Sequence, residues 1–170
     1  MHNKYIFIIN GTGGSGKDTF VEFIDKNFPG KVENFSSVTK IKEIATIIGW
    51  NGQKTEKDRK FLSDLKALCG EYNNLPLRSM SEKVDDFLKS DKTVLFLHIR
   101  EPEEIEIAKL LFNAKTILIN RSNIPIIESN ASDRDVNNYD YDYYIYNDGT
   151  LKDFEHSAID FMNSLLFTII

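Results

Sequence analysis

The sequence predicts a three-layer α/β sandwich, a parallel sheet covered by helices on both faces. Three observations lead there. Short runs rich in β-branched and aromatic residues alternate with longer stretches of helical period. The first and third of these runs, residues 5–9 and 93–99, are almost continuous in apolar side chains, as strands covered on both faces are. And the first run passes through a glycine loop straight into an amphipathic stretch, a strand–loop–helix unit. A chain of 170 residues is the size of one domain with one substantial core.

In chain order, strands are expected at residues 5–9, 32–35, 93–99, 116–119 and 143–146, a sheet of five strands. Phe20, Val21, Ile24 and Phe28 give the helix after the glycine loop its apolar face. Ile41, Ile44, Ala45 and Ile48 form a second stripe, and Phe61, Leu62, Leu65, Leu68 and Cys69 a third. A short helix is expected to begin near Ser79, where Ser79-x-x-Glu82 has the spacing of a capping box. Pro102 with Glu103 and Glu104 opens the next, carrying Ile105, Ala108, Leu111 and Phe112 inward. The last begins at Thr150-x-x-Asp153 and is expected to bury Leu151, Phe154, Ala158, Phe161, Met162 and Leu165. Residues 121–141 are the longest irregular stretch, polar and rich in Ser, Asn and Asp, which suits a lid or binding loop.

Composition excludes several classes. The formal net charge is −5, from 21 Lys and Arg against 26 Asp and Glu. Such a balance attracts neither a nucleic-acid polymer nor an acidic membrane, so an anionic small substrate would need a local cluster of cations. Cys69 is the only cysteine; no intramolecular disulfide can form, and a place on an apolar helix stripe suits packing better than nucleophilic chemistry. The apolar run at residues 5–9 is too short for the core of a signal peptide, and no segment approaches the ~20 apolar residues of a membrane span. A cytoplasmic protein is expected. Asp133, Asp135 and Asn137 begin a calcium-loop spacing, but Asn138 stands where glycine is required and Tyr144 where the closing Glu should be. The composition leaves the oligomeric state open.

The motif in "YIFIINGTGGSGKDTF" satisfies two fingerprints. Gly11-x-Gly13-x-x-Gly16 is the dinucleotide-binding pattern, and Glu33 stands near the distance at which that pattern wants an acidic residue. Gly11-x-x-x-x-Gly16-Lys17 is the phosphate loop of ATP and GTP enzymes. The second reading uses every residue. Gly11, Gly13, Gly14, Ser15 and Gly16 let successive N–H groups face the phosphates, and the helix that follows adds the partial positive charge of its N-terminus. Lys17 then reaches the β and γ phosphates, a residue that a pyrophosphate held by amides alone would not need. One feature departs from the pattern: Asp18 stands where a hydroxyl usually ligates Mg²⁺. Its carboxylate could hold the ion directly or through waters, with Thr19 supplying a hydroxyl or simply packing.

The loop Ser15-Gly16-Lys17-Asp18-Thr19 resembles that of phage deoxynucleoside monophosphate kinases and animal-type phosphomevalonate kinases. The likeness extends to Phe35-Ser36-Ser37-Val38-Thr39-Lys40, to "GWNGQKTEKDRKFLSDLK", to Ile99-Arg100 with its acidic helix, to "ESNASD" and to "YDYYIYNDGTL". It spans most of the chain, although only the loop is specific by itself. The resemblance implies a P-loop NTPase fold with strand order 2-3-1-4-5 in one domain over residues 1–170. It also implies ATP and Mg²⁺ as cofactors, acceptor-binding helices over about 38–90 and a lid over about 121–136. Asn147-Asp148-Gly149 would lie beside the adenine. The family commonly carries Asp-x-Arg on the third strand, whereas this chain has His98 before Ile99 and Arg100.

These features point to phosphoryl transfer onto a small phosphorylated acceptor, where several cations must converge on the charge of the transition state. Lys17, Arg59, Arg100, Arg121 and Arg134 lie in five segments that can meet at the sheet's carboxyl edge. Arg59, Arg100 and Lys40 are the candidates for the acceptor's phosphate. A GTPase switch would need Asp-x-x-Gly, which is missing, and Asn120-Arg121-Ser122-Asn123 lacks the Asp that reads guanine. A phosphomevalonate-type kinase and a nucleotide-binding module without catalysis stay open, the latter because of His98.

Overall fold

The computed structural model describes residues 3–122 and 136–167. Five strands, β1 (Tyr5–Asn10), β2 (Val32–Ser36), β3 (Val94–His98), β4 (Lys115–Asn120) and β5 (Tyr143–Tyr146), form one parallel sheet in the order 2-3-1-4-5. The helices are α1 (Lys17–Asn27), α2 (Thr39–Ile47), α3 (Glu56–Asn73), α4 (Leu75–Lys89), α5 (Pro102–Phe112) and α6 (Leu151–Phe167). The fold class, the strand order and all five expected strands are as the sequence implies. The expected lid falls almost wholly outside the described residues, with only Arg121, Ser122 and a 3-10 turn at Val136–Asn138 on its margins.

Strand alternation sends side chains to two separate cores. Phe7, Ile9 and Phe96 face α1 and α6, meeting Phe20, Ile24 and Phe161. Ile8, Leu95 and Leu97 face α4 and α5, meeting Met80, Phe87 and Ile105. The first layer is aromatic: the Phe7 and Phe161 rings lie edge to face at 5.1 Å. Parallel pairing brings the carboxyl ends of the strands to one edge, where His98 stands beside Ile9 and Ser36, and Asn120 beside Tyr146. No helix among the described residues is long and apolar enough to cross a membrane.

Several local expectations change. Ser79 does not cap a helix: α4 already starts at Leu75, with Pro76 in its first turn, and the buried Ser79 hydroxyl donates to the Pro76 carbonyl at 2.9 Å. The spacing Ser-x-x-Glu arises inside helices too, and the proline fixes the true start. The capping boxes actually formed are Thr55 with Asp58 and Thr150 with Asp153. Leu111 and Leu151 are exposed, as are Ile48 and Leu68. A helix of period 3.6 buries a narrower stripe than the sequence suggested, and α3 buries no residue at all. Cys69 is accordingly only half-buried.

Candidate active site

The glycine loop leaves β1 at Asn10 and enters α1 at Lys17. Gly11, Gly14 and Gly16 have φ of +150°, +82° and +102°, a region side chains disfavour. Space forbids side chains as well. A Cβ on Gly11 would lie 2.5 Å from the Ile119 carbonyl oxygen and from Ser15 Oγ; one on Gly16 would lie 2.6 Å from Asn147 Nδ2. Lys17 Nζ folds over the loop and donates to the Gly11 carbonyl and, at 3.1 Å, to that of Thr12. Ser15 Oγ is buried and makes no hydrogen bond among the described residues. The loop therefore has the cradle, the cation at its mouth and an unsatisfied hydroxyl, a donor set that suits a polyphosphate.

Asn10 and Tyr141, which sequence reading passed over, hold the loop in place together with Asn147, which it singled out. Asn10 is fully buried; its Oδ1 accepts from the Gly11 N–H at 2.8 Å, and its Nδ2 donates to the Arg100 carbonyl at 3.2 Å and to Tyr141 Oη at 2.9 Å. Tyr141 donates in turn to the Val136 carbonyl at 3.0 Å. Burial pushes the Tyr141 hydroxyl up to about 12, so it remains a donor. Asn147 donates from Nδ2 to the Ser15 carbonyl at 2.9 Å and from its backbone to the Asn120 carbonyl at 2.7 Å. Asp148 accepts from the Ser122 N–H at 2.6 Å and from its hydroxyl at 3.0 Å, fixing the residue that follows Arg121. A polar residue ending an apolar strand, as Asn10 does, was the one signal in the sequence.

Asp18 and His98 stand over the β3 end. The Asp18 side chain is 87% exposed, with Oδ1 3.7 Å from His98 Nδ1. His98 Nε2 contacts Asn34 Oδ1 at 2.7 Å, and an amide oxygen there puts the ring proton on Nε2. Burial lowers the His98 pKa to about 4; Asp18 opposes that shift, while Lys17, Arg100 and Lys42 add to it. His98 is thus neutral at pH 7; Asp18 lies beside it and Asn10 bonds the Arg100 carbonyl, so the start of α1 and the residues after β3 meet at one end of the sheet.

The remaining candidates are found in different states. Thr19 is half-buried in the first turn of α1. Lys40 is paired with Glu43 at 2.8 Å, which raises its pKa. Arg59, at the start of α3, and Arg121, just past β4, are exposed. Gly149 precedes the α6 cap, where a Cβ would lie 2.9 Å from Asp153 Oδ2. Arg134 lies outside the described residues. Among the described residues no group of three or more His, Cys, Asp or Glu could hold a metal, so an ion here would depend on Asp18, waters and ligand oxygens. That is the usual coordination of Mg²⁺ beside phosphates.

The topology decides between the two loop fingerprints. In the dinucleotide fold the second strand lies next to the first. Here β3 separates them, and Glu33 sits near the start of edge strand β2, ion-paired to Lys83 at 2.6 Å and away from the carboxyl edge. A phosphate loop at the carboxyl edge of a 2-3-1-4-5 parallel sheet defines the P-loop NTPase fold, in the form found in P-loop kinases.

Solved structures agree. The chain is similar to dephospho-CoA kinase from Campylobacter jejuni, at 20% identity and a TM-score of 0.56, over 95% of this chain and 97% of that one. It is also similar to shikimate kinase from Aquifex aeolicus, at 11% identity and a TM-score of 0.53, covering 94% and 96%. A third is APS kinase from Mycobacterium tuberculosis in complex with AMPPNP and APS, at 12% identity and a TM-score of 0.52, covering 96% and 100%. At such identities the likeness speaks for the fold. No protein-family profile matches the chain, and no curated protein matches it.

Proposed function

We propose that this protein is an ATP-dependent kinase that transfers the γ-phosphoryl group of ATP to a small phosphorylated acceptor, a nucleoside or deoxynucleoside monophosphate. The observation that carries the reading is Lys17 folded over its own loop, with Asp18 and Arg100 at the same end of the sheet. ATP with Mg²⁺, when bound, would supply the phosphoryl group and a cation that offsets its charge. The chain's part is to orient and to neutralise. Loop N–H groups from Gly13 to Thr19 face the phosphates, and Lys17 exchanges the Gly11 and Thr12 carbonyls for phosphate oxygens. Asp18 holds the ion, directly or through waters, since neutral His98 supplies no charge where an acid is expected. Arg121 and Arg134 add charge from the lid, Asn147 and Gly149 flank the adenine, and Arg59, Arg100 and Lys40 take the acceptor's phosphate. The preference for a nucleotide rests on "GWNGQKTEKDRKFLSDLK", which follows deoxynucleotide kinases more closely than phosphomevalonate kinases.

The test is a panel of eight ribo- and deoxynucleoside monophosphates with phosphomevalonate as a ninth acceptor, followed by ADP release. Turnover of a deoxynucleotide is expected. Arg59→Ala should lower kcat/KM for that acceptor by about 1.5–3 kcal/mol and leave the ATP KM nearly unchanged. Activity on phosphomevalonate alone would move the protein to the sister family. Silence on all nine with ATP still bound would favour another phosphorylated acceptor or a binding module without catalysis, the latter being the reading that neutral His98 supports.

A further inference from the structure

Helix α3 is 18 residues long and buries none of them, yet it carries Arg59. It packs against α2 and α4, and its ion pairs to the sheet's carboxyl edge come from Lys66. Lys66, 13% exposed, donates to Glu101 at 2.7 Å and to Glu104 at 2.8 Å. Glu101 follows Arg100 directly and is the N-cap residue of α5; Glu104 lies in that helix's first turn. The trio spans an open cleft of about 440 Å³ between α3, α4 and α5. Toward α5 the hold on α3 is this ion-pair trio, whereas α1 is held by the buried Phe20, Val21 and Ile24.

We propose that Lys66, clamped between Glu101 and Glu104, is the positioning residue that holds α3, and with it Arg59, in register with Arg100. Helix geometry supplies the link. Residues seven apart lie two turns apart on nearly the same face, within about 20° and roughly 10 Å along the axis. The face that Lys66 turns toward Arg100's neighbour is therefore the face that Arg59 shares. The electrostatics make the clamp depend on the lysine. Burial pushes both carboxyls up; the Lys66 charge and hydrogen bond bring Glu101 below its ordinary value, while Glu104, also facing Glu101, stays raised. Without Lys66, two half-buried carboxyls are left facing each other, which opposes closure of the cleft. Ordinary exposed ion pairs stabilise little; this one is shielded, doubly bonded and placed between two binding segments.

The inference rests on the acceptor reading given above, and its test separates the two. In the full-length protein, Lys66→Met keeps the aliphatic stem and removes the charge. Amide hydrogen exchange over residues 56–73 should quicken by roughly tenfold, with β1 and β3 unchanged. The KM for the nucleoside monophosphate that wild type turns over should rise about tenfold while the ATP KM changes less than twofold, and Lys66→Arg should restore both. The double variant Glu101→Gln with Glu104→Gln should loosen α3 in the same way. Unchanged exchange in α3 would overturn the clamp. Faster exchange with an unchanged acceptor KM would overturn its positioning role. A wild type silent on every acceptor would remove the function, and the positioning with it, while the exchange result would still decide the clamp.

Discussion

Helices α1 and α3 each carry a cation proposed for the reaction, Lys17 and Arg59, but they are anchored by different means. In 11 residues α1 buries Phe20, Val21 and Ile24 between the sheet and α6. Along 18 residues α3 buries nothing and reaches the sheet's edge through Lys66. The loop before α1 is pinned by Asn10 and Asn147, whose bonds run to three neighbouring segments. A phosphate cradle must be preformed, because its N–H groups act only in a fixed geometry. A helix that closes over an acceptor gains from a weaker, electrostatic hold, since elements that move are drawn from the less stable parts of a fold.

The sharpest way to break the comparison is a core deletion on the rigid side. Phe96→Ala removes a fully buried ring that meets Phe20 edge to face at 6.4 Å, and should destabilise the protein by about 3–5 kcal/mol in chemical denaturation. Next comes Lys17→Ala, expected to reduce kcat by roughly 10²–10³ with the fold intact by circular dichroism. A retained kcat would show that the folded-over lysine serves only the loop.

His98 gives a pH signature to the same edge. The unfolded chain takes up that proton near pH 6.5 and the folded one only near 4, so stability falls as pH drops between those values. The loss should approach about 3 kcal/mol at the acid end, in metal-free denaturation curves, and His98→Gln should flatten it. If His98→Gln keeps the full slope, the slope comes from another group. Asp18→Asn should raise the Mg²⁺ concentration for half-maximal rate several-fold while metal-free ATP affinity is kept or improves; an unchanged requirement would assign Asp18 to the helix N-terminus instead. The smallest effect belongs to the loose side. Leu68→Ala, at a side chain 64% exposed, should change stability by less than ~0.5 kcal/mol.

What the sequence disclosed follows from what is local. Five apolar runs and one glycine spacing specify the strands and the loop because both signals lie within a few consecutive residues. The contacts His98–Asn34, Lys66–Glu101 and Asn10–Tyr141 join residues 64, 35 and 131 positions apart. No spacing rule brings such partners together; only the strand order 2-3-1-4-5 and the helices between the strands do, and that order came from resemblance. Helix stripes were read too wide at Ile48, Leu68 and Leu111 because periodicity shows which side chains share a face, while depth depends on the neighbour. Ser79 misled for a related reason: a capping spacing has meaning only once the start of the helix is known.

The central strand β1 and α6, the helix that covers it on one side, are far apart in the chain: Phe7 and Phe161 are 154 positions apart. Phe7, at the middle of that strand, waits for Phe161, and Tyr5 donates to the Leu165 carbonyl at 3.0 Å. During synthesis at roughly 5–20 residues per second, the earliest aromatic face emerges many seconds before its cover is made. Until then Phe7, Phe20 and Phe96 form a bare apolar surface on the nascent chain, a natural handle for a chaperone. A stop codon ahead of α6 would leave that surface permanently open, so ribosomal truncations of this chain belong to the aggregation-prone class even when all five strands are present.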